Sequence, residues 1–205
     1  MLKGKSLKAG HFYLDNVKGY RSLIKALSSS QNYSLRITIP EGYRSRDIAK
    51  LLSSELNFSY TDFMEKVNNE EYTKQLGIKS PNLEGYLFPD TYNFSESDSA
   101  EEVIRKMVSH FIEMINDSIR EGIEKSGKNL HEILTLASII EGECIVDEER
   151  PLVASVYINR LKKGIRLESD PTIQYIIPDG PRRLLNKDLN IRSPYNTYRL
   201  SLIHI

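Results

Sequence analysis

Cysteine occurs once, at Cys144, in a chain of 205 residues. One thiol cannot close an intramolecular disulfide, and the four histidines have neither HExxH nor zinc-finger spacing, so disulfide scaffolds and structural zinc domains are excluded. Charge of one sign is equally scarce: 28 basic side chains balance 28 acidic ones. The chain therefore lacks the electrostatic footprint of a nucleic-acid or anionic-lipid binder. No apolar run approaches the ~20 residues that cross a bilayer. The opening Met1-Leu2-Lys3-Gly4-Lys5 does not read as a signal peptide. There is no phosphate-binding glycine loop, internal repeat or low-complexity tract. What is present, 40% hydrophobic and 27% charged residues, suffices for one medium or two small soluble domains with cores of their own.

The pattern along the chain predicts an α+β fold. Residues 8–14 gather β-formers after Gly10, and 20–27 carry Leu23, Ile24 and Leu27 at helical spacing before a run of serines. Leu35-Arg36-Ile37-Thr38-Ile39 alternates like a half-buried strand, stopped by Pro40, and Ser45 or Asp47 starts the next helix. The Gly/Ser/Pro cluster at 77–81 reads as a boundary. Beyond it the chain is mainly helical. A capping box at Ser99–Glu102 opens a helix with Val103, Met107, Phe111 and Ile115 on one face, ended by Gly127. A second helix starts near Asn129, a third at Pro151 running to Gly164, and a fourth at Asp170-Pro171.

Glu141 stands out. It follows Leu134 by seven positions and Ala137 by four, so helical spacing predicts that it lies on the buried face near the C-terminal end of its helix. Desolvation there disfavours the charged form, and the negative end of the helix dipole pushes the same way. A carboxyl kept protonated near neutral pH is what a general acid needs. The same spacing fits a buried glutamate paired with Arg150 or Arg160, and both readings stay open. Cys144 reads as a small buried side chain, and Asp90 and Asp170 as turn or helix caps. Tyr86, Phe88, Tyr92, Tyr157, Tyr175, Tyr195 and Tyr198 can stack on sugar rings or pack in a core.

Six motifs occur in order: Ile39-Pro40-Glu41-Gly42; Leu83-Glu84-Gly85-Tyr86-Leu87-Phe88-Pro89-Asp90-Thr91-Tyr92; Leu136-Ala137-Ser138-Ile139-Ile140-Glu141-Gly142-Glu143; Ala154-Ser155-Val156-Tyr157-Ile158-Asn159-Arg160-Leu161; Leu167-Glu168-Ser169-Asp170-Pro171-Thr172-Ile173-Gln174-Tyr175; and Ser193-Pro194-Tyr195-Asn196-Thr197-Tyr198. The set resembles the MltG-type, YceG-like endolytic murein transglycosylases of bacteria over nearly the whole chain, to about Arg199. The resemblance implies a LysM-like subdomain at 1–77 and a mainly helical catalytic domain with short strands at 78–205. It implies cleavage of the MurNAc–GlcNAc β-1,4 bond in nascent peptidoglycan strands, with 1,6-anhydroMurNAc formation that terminates elongation, and with no metal or cofactor. The family's catalytic glutamate falls on Glu141. Glu84, Tyr92, Asn159, Asp170, Thr172, Gln174, Tyr175, Asn196 and Tyr198 become candidates for substrate binding.

The resemblance also implies glycan strands and cell-wall synthases as partners, and no nucleic acid. It places the protein on the extracytoplasmic face of the bacterial inner (plasma) membrane, held by a single-pass anchor that precedes this chain. After Tyr198 the family continues with a Gly/Pro-rich turn. Here Leu200-Ser201-Leu202-Ile203-His204-Ile205 stands instead, a hexapeptide that a common sequencing-adapter end encodes in frame, so the catalytic domain is expected to be incomplete at its C-terminus. Two other functions compete with the leading one. A non-catalytic peptidoglycan-binding module has no need of a carboxyl on an apolar helix face, and a hydrolytic muramidase needs a second carboxylate and a water.

Overall fold

The structure, a computed structural model, describes residues 17–28, 34–178 and 180–200. The expected strand at 8–14 and residues 201–205 lie outside that set. The chain divides into two compact units, Met1–Asn116 and Asp117–Ile205. Among the described residues no helix is long and apolar enough to cross a membrane.

In the first unit α1 (Tyr20–Ser28) is followed by β1 (Ser34–Thr38), which pairs antiparallel with β2 (Thr91–Ser95), Ser34 facing Ser95 and Thr38 facing Thr91. β2 alternates as a half-buried strand does: Tyr92 and Phe94 are buried and Asn93 is exposed. Between the strands lie α2 (Ser45–Glu55), α3 (Tyr60–Val67) and α4 (Glu70–Gln75), and α5 (Ala100–Met114) follows β2. The core is built from Ile48 and Leu52 of α2, Phe63 and Val67 of α3, and Val103, Ile104, Met107 and Val108 of α5. The 77–81 stretch falls inside this unit. The Lys66 ammonium reaches Glu101 at 3.2 Å, and the Leu83 amide donates to the Val67 carbonyl at 2.9 Å. Residues before the stretch carry too few apolar side chains to close a core, and α5 and β2 supply the missing face.

The expected single helix from 100 to Gly127 is two. α5 stops at Met114, Ile115 leaves the helical region (φ −78°, ψ 77°), and α6 (Asp117–Ser126) starts afresh. Asn116, Asp117 and Ser118 compete for backbone hydrogen bonds and favour a cap over a continuous helix. α6 buries no residue, so no apolar stripe carries the α5 face onward.

In the second unit α7 (Leu130–Glu143), α8 (Arg150–Lys162) and α9 (Asp170–Ile176) pack together. Asn129 and Glu132 close a capping box on α7, Pro151 sits in the first turn of α8, and Gly164 (φ 66°) takes the left-handed conformation after α8 that suits glycine. Leu136, Ile139, Tyr157 and Leu167 form the core, with Ile140, Val153 and Leu161 packed against it.

The chain after α9 is held by polar groups. Arg182 donates to both carboxylate oxygens of Asp188 at 2.7 and 2.9 Å, and the Leu185 amide adds a third bond at 2.8 Å. The Arg182 bond first, and the Leu185 amide second, hold the Asp188 carboxyl at about 2, against an ordinary 3.8. A carboxyl depressed in the folded state contributes stability that is present above its unfolded value and lost as pH falls toward 2. The expected result is a wild-type melting temperature that drops between pH 4 and 2. The drop is smaller in Asp188→Asn, which starts from a lower stability at pH 7. Thermal melts across that range check it.

Candidate active site

α7 does not bury the face on which spacing placed Glu141. Leu136 and Ile139 are buried, Ala137 is exposed and Glu141 is exposed. The packed stripe of Leu136, Ile139 and Ile140 runs on toward Glu143, seven, four and three positions later, which is exposed but hydrogen-bonded to the neighbouring elements. Two residues turn a helix by about 200°, so Glu141 and Glu143 project to opposite sides. Neither expected arginine pairs with Glu141: Arg150 meets Asp147 at 3.1 Å and Arg160 meets Glu168 at 2.6 Å. Among the described residues the Glu141 carboxyl has no hydrogen bond or ion pair. The burial expected at Glu141 is thus corrected, and with it the buried ion pair.

Glu143 is the engaged carboxylate. Its Oε1 accepts from the Tyr157 hydroxyl of α8 at 2.7 Å and from the Ser169 hydroxyl just before α9 at 2.7 Å. Tyr157 is buried, and burial together with the neighbouring carboxylate pushes its hydroxyl up to about 12. Ser169 is fully buried, and its amide donates to Thr197 Oγ1 at 2.9 Å. The Thr172 hydroxyl donates to the Ser169 carbonyl at 2.7 Å and lies 2.9 Å from Thr197 Oγ1. Four of the six motifs are therefore tied into one cluster: Glu143 from the third, Tyr157 from the fourth, Ser169 and Thr172 from the fifth, and Thr197 from the last.

Asp170 and Tyr198 extend that cluster to the surface. The Tyr198 hydroxyl donates to Asp170 Oδ1 at 2.5 Å, and burial first, then the Asp170 carboxylate, raises the Tyr198 hydroxyl above its ordinary value. Tyr175 and Tyr195 are part-exposed and meet edge to face at 5.2 Å. Asn159 is exposed on α8. The other candidates face inward. Asn196 is fully buried, donates to the Leu189 and Ile191 carbonyls, and accepts from the Tyr198 amide. Gln174 clasps the Arg182 backbone from both sides at 2.6 and 3.0 Å.

Glu84 and Tyr92 belong to the first unit. The Glu84 carboxylate accepts from the Ser45 amide at the start of α2, and the buried Tyr92 hydroxyl donates to the Phe88 carbonyl. Asp90 caps its own strand, accepting from the Thr91 amide at 2.6 Å and meeting His110 at 2.6 Å. A cavity of about 510 Å³ next to Tyr198 is lined by Arg166, Asn186, Leu189, Asn190 and Arg199, and Glu141 is not among its walls.

Glu143, Ser169 and Thr197 were not singled out from the sequence. For Glu143 a signal existed, since it repeats with Leu136, Ile139 and Ile140. For the two hydroxyls there was none, because their partners lie 26 to 28 residues away.

With this helical scaffold and its carboxylate-bearing helix end described, the comparisons with known proteins are direct. The YceG-like family model matches residues 1–201. The chain is 35% identical over 215 residues to an endolytic murein transglycosylase of Bacillus subtilis, covering 96% of this chain and 59% of that protein. It is 31% identical over 224 residues to an endolytic murein transglycosylase of Streptococcus pneumoniae, covering 94% of this chain and 40% of that one. The crystal structure of a yceG-like protein from Listeria monocytogenes superposes with a TM-score of 0.73 at 31% identity, covering 88% of this chain and 64% of the other. The chain belongs to the YceG-like family. It spans about three fifths of the Bacillus relative's length and two fifths of the Streptococcus relative's.

Proposed function

We propose that this chain carries the catalytic part of an endolytic peptidoglycan lytic transglycosylase, which cleaves MurNAc–GlcNAc β-1,4 bonds within nascent glycan strands and so ends their elongation. The observation that carries the reading is the Glu141 carboxyl. It is exposed at the end of α7, has no partner among the described residues, and sits half a turn from a glutamate whose Oε1 is held by two hydroxyls. An exposed carboxyl without a partner is open to substrate, and its place in the third motif, where the family's catalytic glutamate falls, separates Glu141 from other surface glutamates unpaired among the described residues, such as Glu55 and Glu65. The names of the relatives support the same reaction.

One carboxyl can serve the whole reaction. Protonated Glu141 gives its proton to the glycosidic oxygen as the bond to C1 breaks. The carboxylate then takes the proton of the MurNAc C6 hydroxyl, whose oxygen closes onto C1 as the 1,6-anhydro ring. Glu141 ends as it began, and no water, metal or cofactor enters the balance. A strand lying over the helix end excludes water from Glu141. Asn159, Asp170, Tyr175 and Tyr198 contact the glycan, with the Tyr175–Tyr195 pair offering ring faces to sugars. Thr172, Gln174 and Asn196 hold the loops that carry them. Residues 1–77 act as a LysM-like part that grips the strand. The full-length protein is anchored in the inner membrane, works on its extracytoplasmic face and meets cell-wall synthases there.

Mass spectrometry of glycan strands digested by the full-length protein tests the proposal. Anhydro ends are expected. Reducing ends, heavier by one water, would replace it with a hydrolytic muramidase. Retained sacculus binding without any cleavage would leave a non-catalytic binding module.

A further inference from the structure

We infer that Glu143 is the positioning residue for Glu141: it locks the last turn of α7 onto α8 and α9 and so fixes where the open carboxyl stands. The inference rests on the proposed role of Glu141. The last turn of a helix has carbonyls without intrahelical partners and frays unless something ties it down. Here Glu143 is the final residue of α7, and one of its oxygens takes hydroxyl donors from two different elements at 2.7 Å each. Gly142 reinforces the lock, because a Cβ there would stand 2.7 Å from Pro171 Cβ. Three consecutive residues thus have three separate relations to the fold: Glu141 is without a partner among the described residues, Gly142 is pressed against Pro171 of α9, and Glu143, although also exposed, is hydrogen-bonded to Tyr157 and Ser169.

The lock has a second consequence. Ser169, one of the two donors, immediately precedes Asp170, whose carboxylate takes the Tyr198 hydroxyl. Glu143 therefore ties the helix that bears Glu141 to the segment that bears the surface pair Asp170–Tyr198. This is a structural link between the proton-transferring group and proposed sugar contacts, made by a side chain that touches no sugar itself. Its role needs an acceptor at that position and no titratable proton.

The test is steady-state kinetics of the full-length protein on uncross-linked glycan strands, well below each variant's melting temperature. Glu143→Ala is expected to lower kcat ~10–100-fold with little change in KM, the scale on which a misplacement of about 1 Å is felt. Glu143→Gln keeps an acceptor oxygen and is expected to restore kcat to within about threefold of wild type. The double variant Tyr157→Phe/Ser169→Ala removes both donors and leaves the glutamate, and it is expected to reproduce the loss; it decides the matter if Glu143→Ala does not fold. Wild-type kcat in the folded alanine or double variant overturns the inference. A Glu143→Gln enzyme as poor as Glu143→Ala also overturns it, making Glu143 a proton-transferring group. Glu141→Gln, run alongside, separates the two levels: if it keeps wild-type turnover, the proposed reaction fails and the inference with it. If it is inactive while Glu143→Ala is unimpaired, only the inference fails.

Discussion

Glu141→Gln lowers turnover on glycan strands by ~10²–10⁴-fold, the usual contribution of general acid–base catalysis, and leaves the melting temperature where it was. The second half of that expectation comes from the structure. Glu141 is exposed, and among the described residues no cation or hydroxyl depends on it. Exchanging its carboxylate for an amide leaves no buried group unmatched, and surface changes of that kind stay within ±0.5 kcal/mol. A buried Glu141 paired with an arginine would behave in the opposite way, losing stability as well as turnover. Arg150 and Arg160 are committed to Asp147 and Glu168, so that coupling is absent. Turnover assayed by release of anhydro ends, with a thermal melt of the same sample, checks both halves. Wild-type turnover from a folded Glu141→Gln protein would remove Glu141 from the chemistry.

The helices were the part of the fold best written into the chain, because their ends carry local chemistry. The Ser99–Glu102 and Asn129–Glu132 capping boxes and Pro151 each act within four residues, and α5, α7 and α8 begin where those signals stand. The same kind of signal was present and unread at α3 and α4, where Ser59 and Asn69 accept from the amides of Asp62 and Tyr72. Their apolar residues are too few to announce a helix by periodicity. β2 was likewise open to reading, since Tyr92 and Phe94 alternate inward. Its partner lies more than fifty residues away in β1, and no local pattern states that pairing.

The site was legible as a set of motifs and illegible as a geometry. α7 carries Leu or Ile at 130, 133, 134, 136, 139 and 140 and Ala at 137. These cover more than half of its circumference, so spacing alone supports two stripes, one ending at Glu141 and one at Glu143. Packing against Tyr157 and Leu167 selects the second. The opposite face, which the packing leaves to solvent, is the one that holds the candidate acid. A similar division runs through the predicted binding residues. Asn196 and Thr172 look like ligands of sugar in a sequence because amides and hydroxyls bind sugar. In the fold they are buried and saturated by backbone and Thr197.

Gly142→Ala and Gly122→Ala are expected to move stability in opposite directions, although both replace a glycine within a helix. Alanine is roughly 1 kcal/mol the better helix former, so an unobstructed exchange stabilises. At Gly122, in α6, a new Cβ meets nothing within 4 Å, and a gain of ~0.5–1 kcal/mol should appear. At Gly142 the Cβ would lie 2.7 Å from Pro171 Cβ and 2.9 Å from its Cγ. A proline ring cannot rotate away as the end of a long side chain can, so α9 must shift. Overpacking of that kind costs ~1–3 kcal/mol, which exceeds the propensity gain. The shift would also draw Ser169 away from Glu143, so Gly142→Ala should lose turnover along with stability. Gly122→Ala should keep full turnover. For a domain of this size each kcal/mol corresponds to several degrees of melting temperature, so a pair of melts resolves the signs. A Gly142→Ala protein that melts as high as wild type and keeps its turnover would mean that α9 yields without disturbing Glu143. The contact between Gly142 and Pro171 would then be incidental to the site.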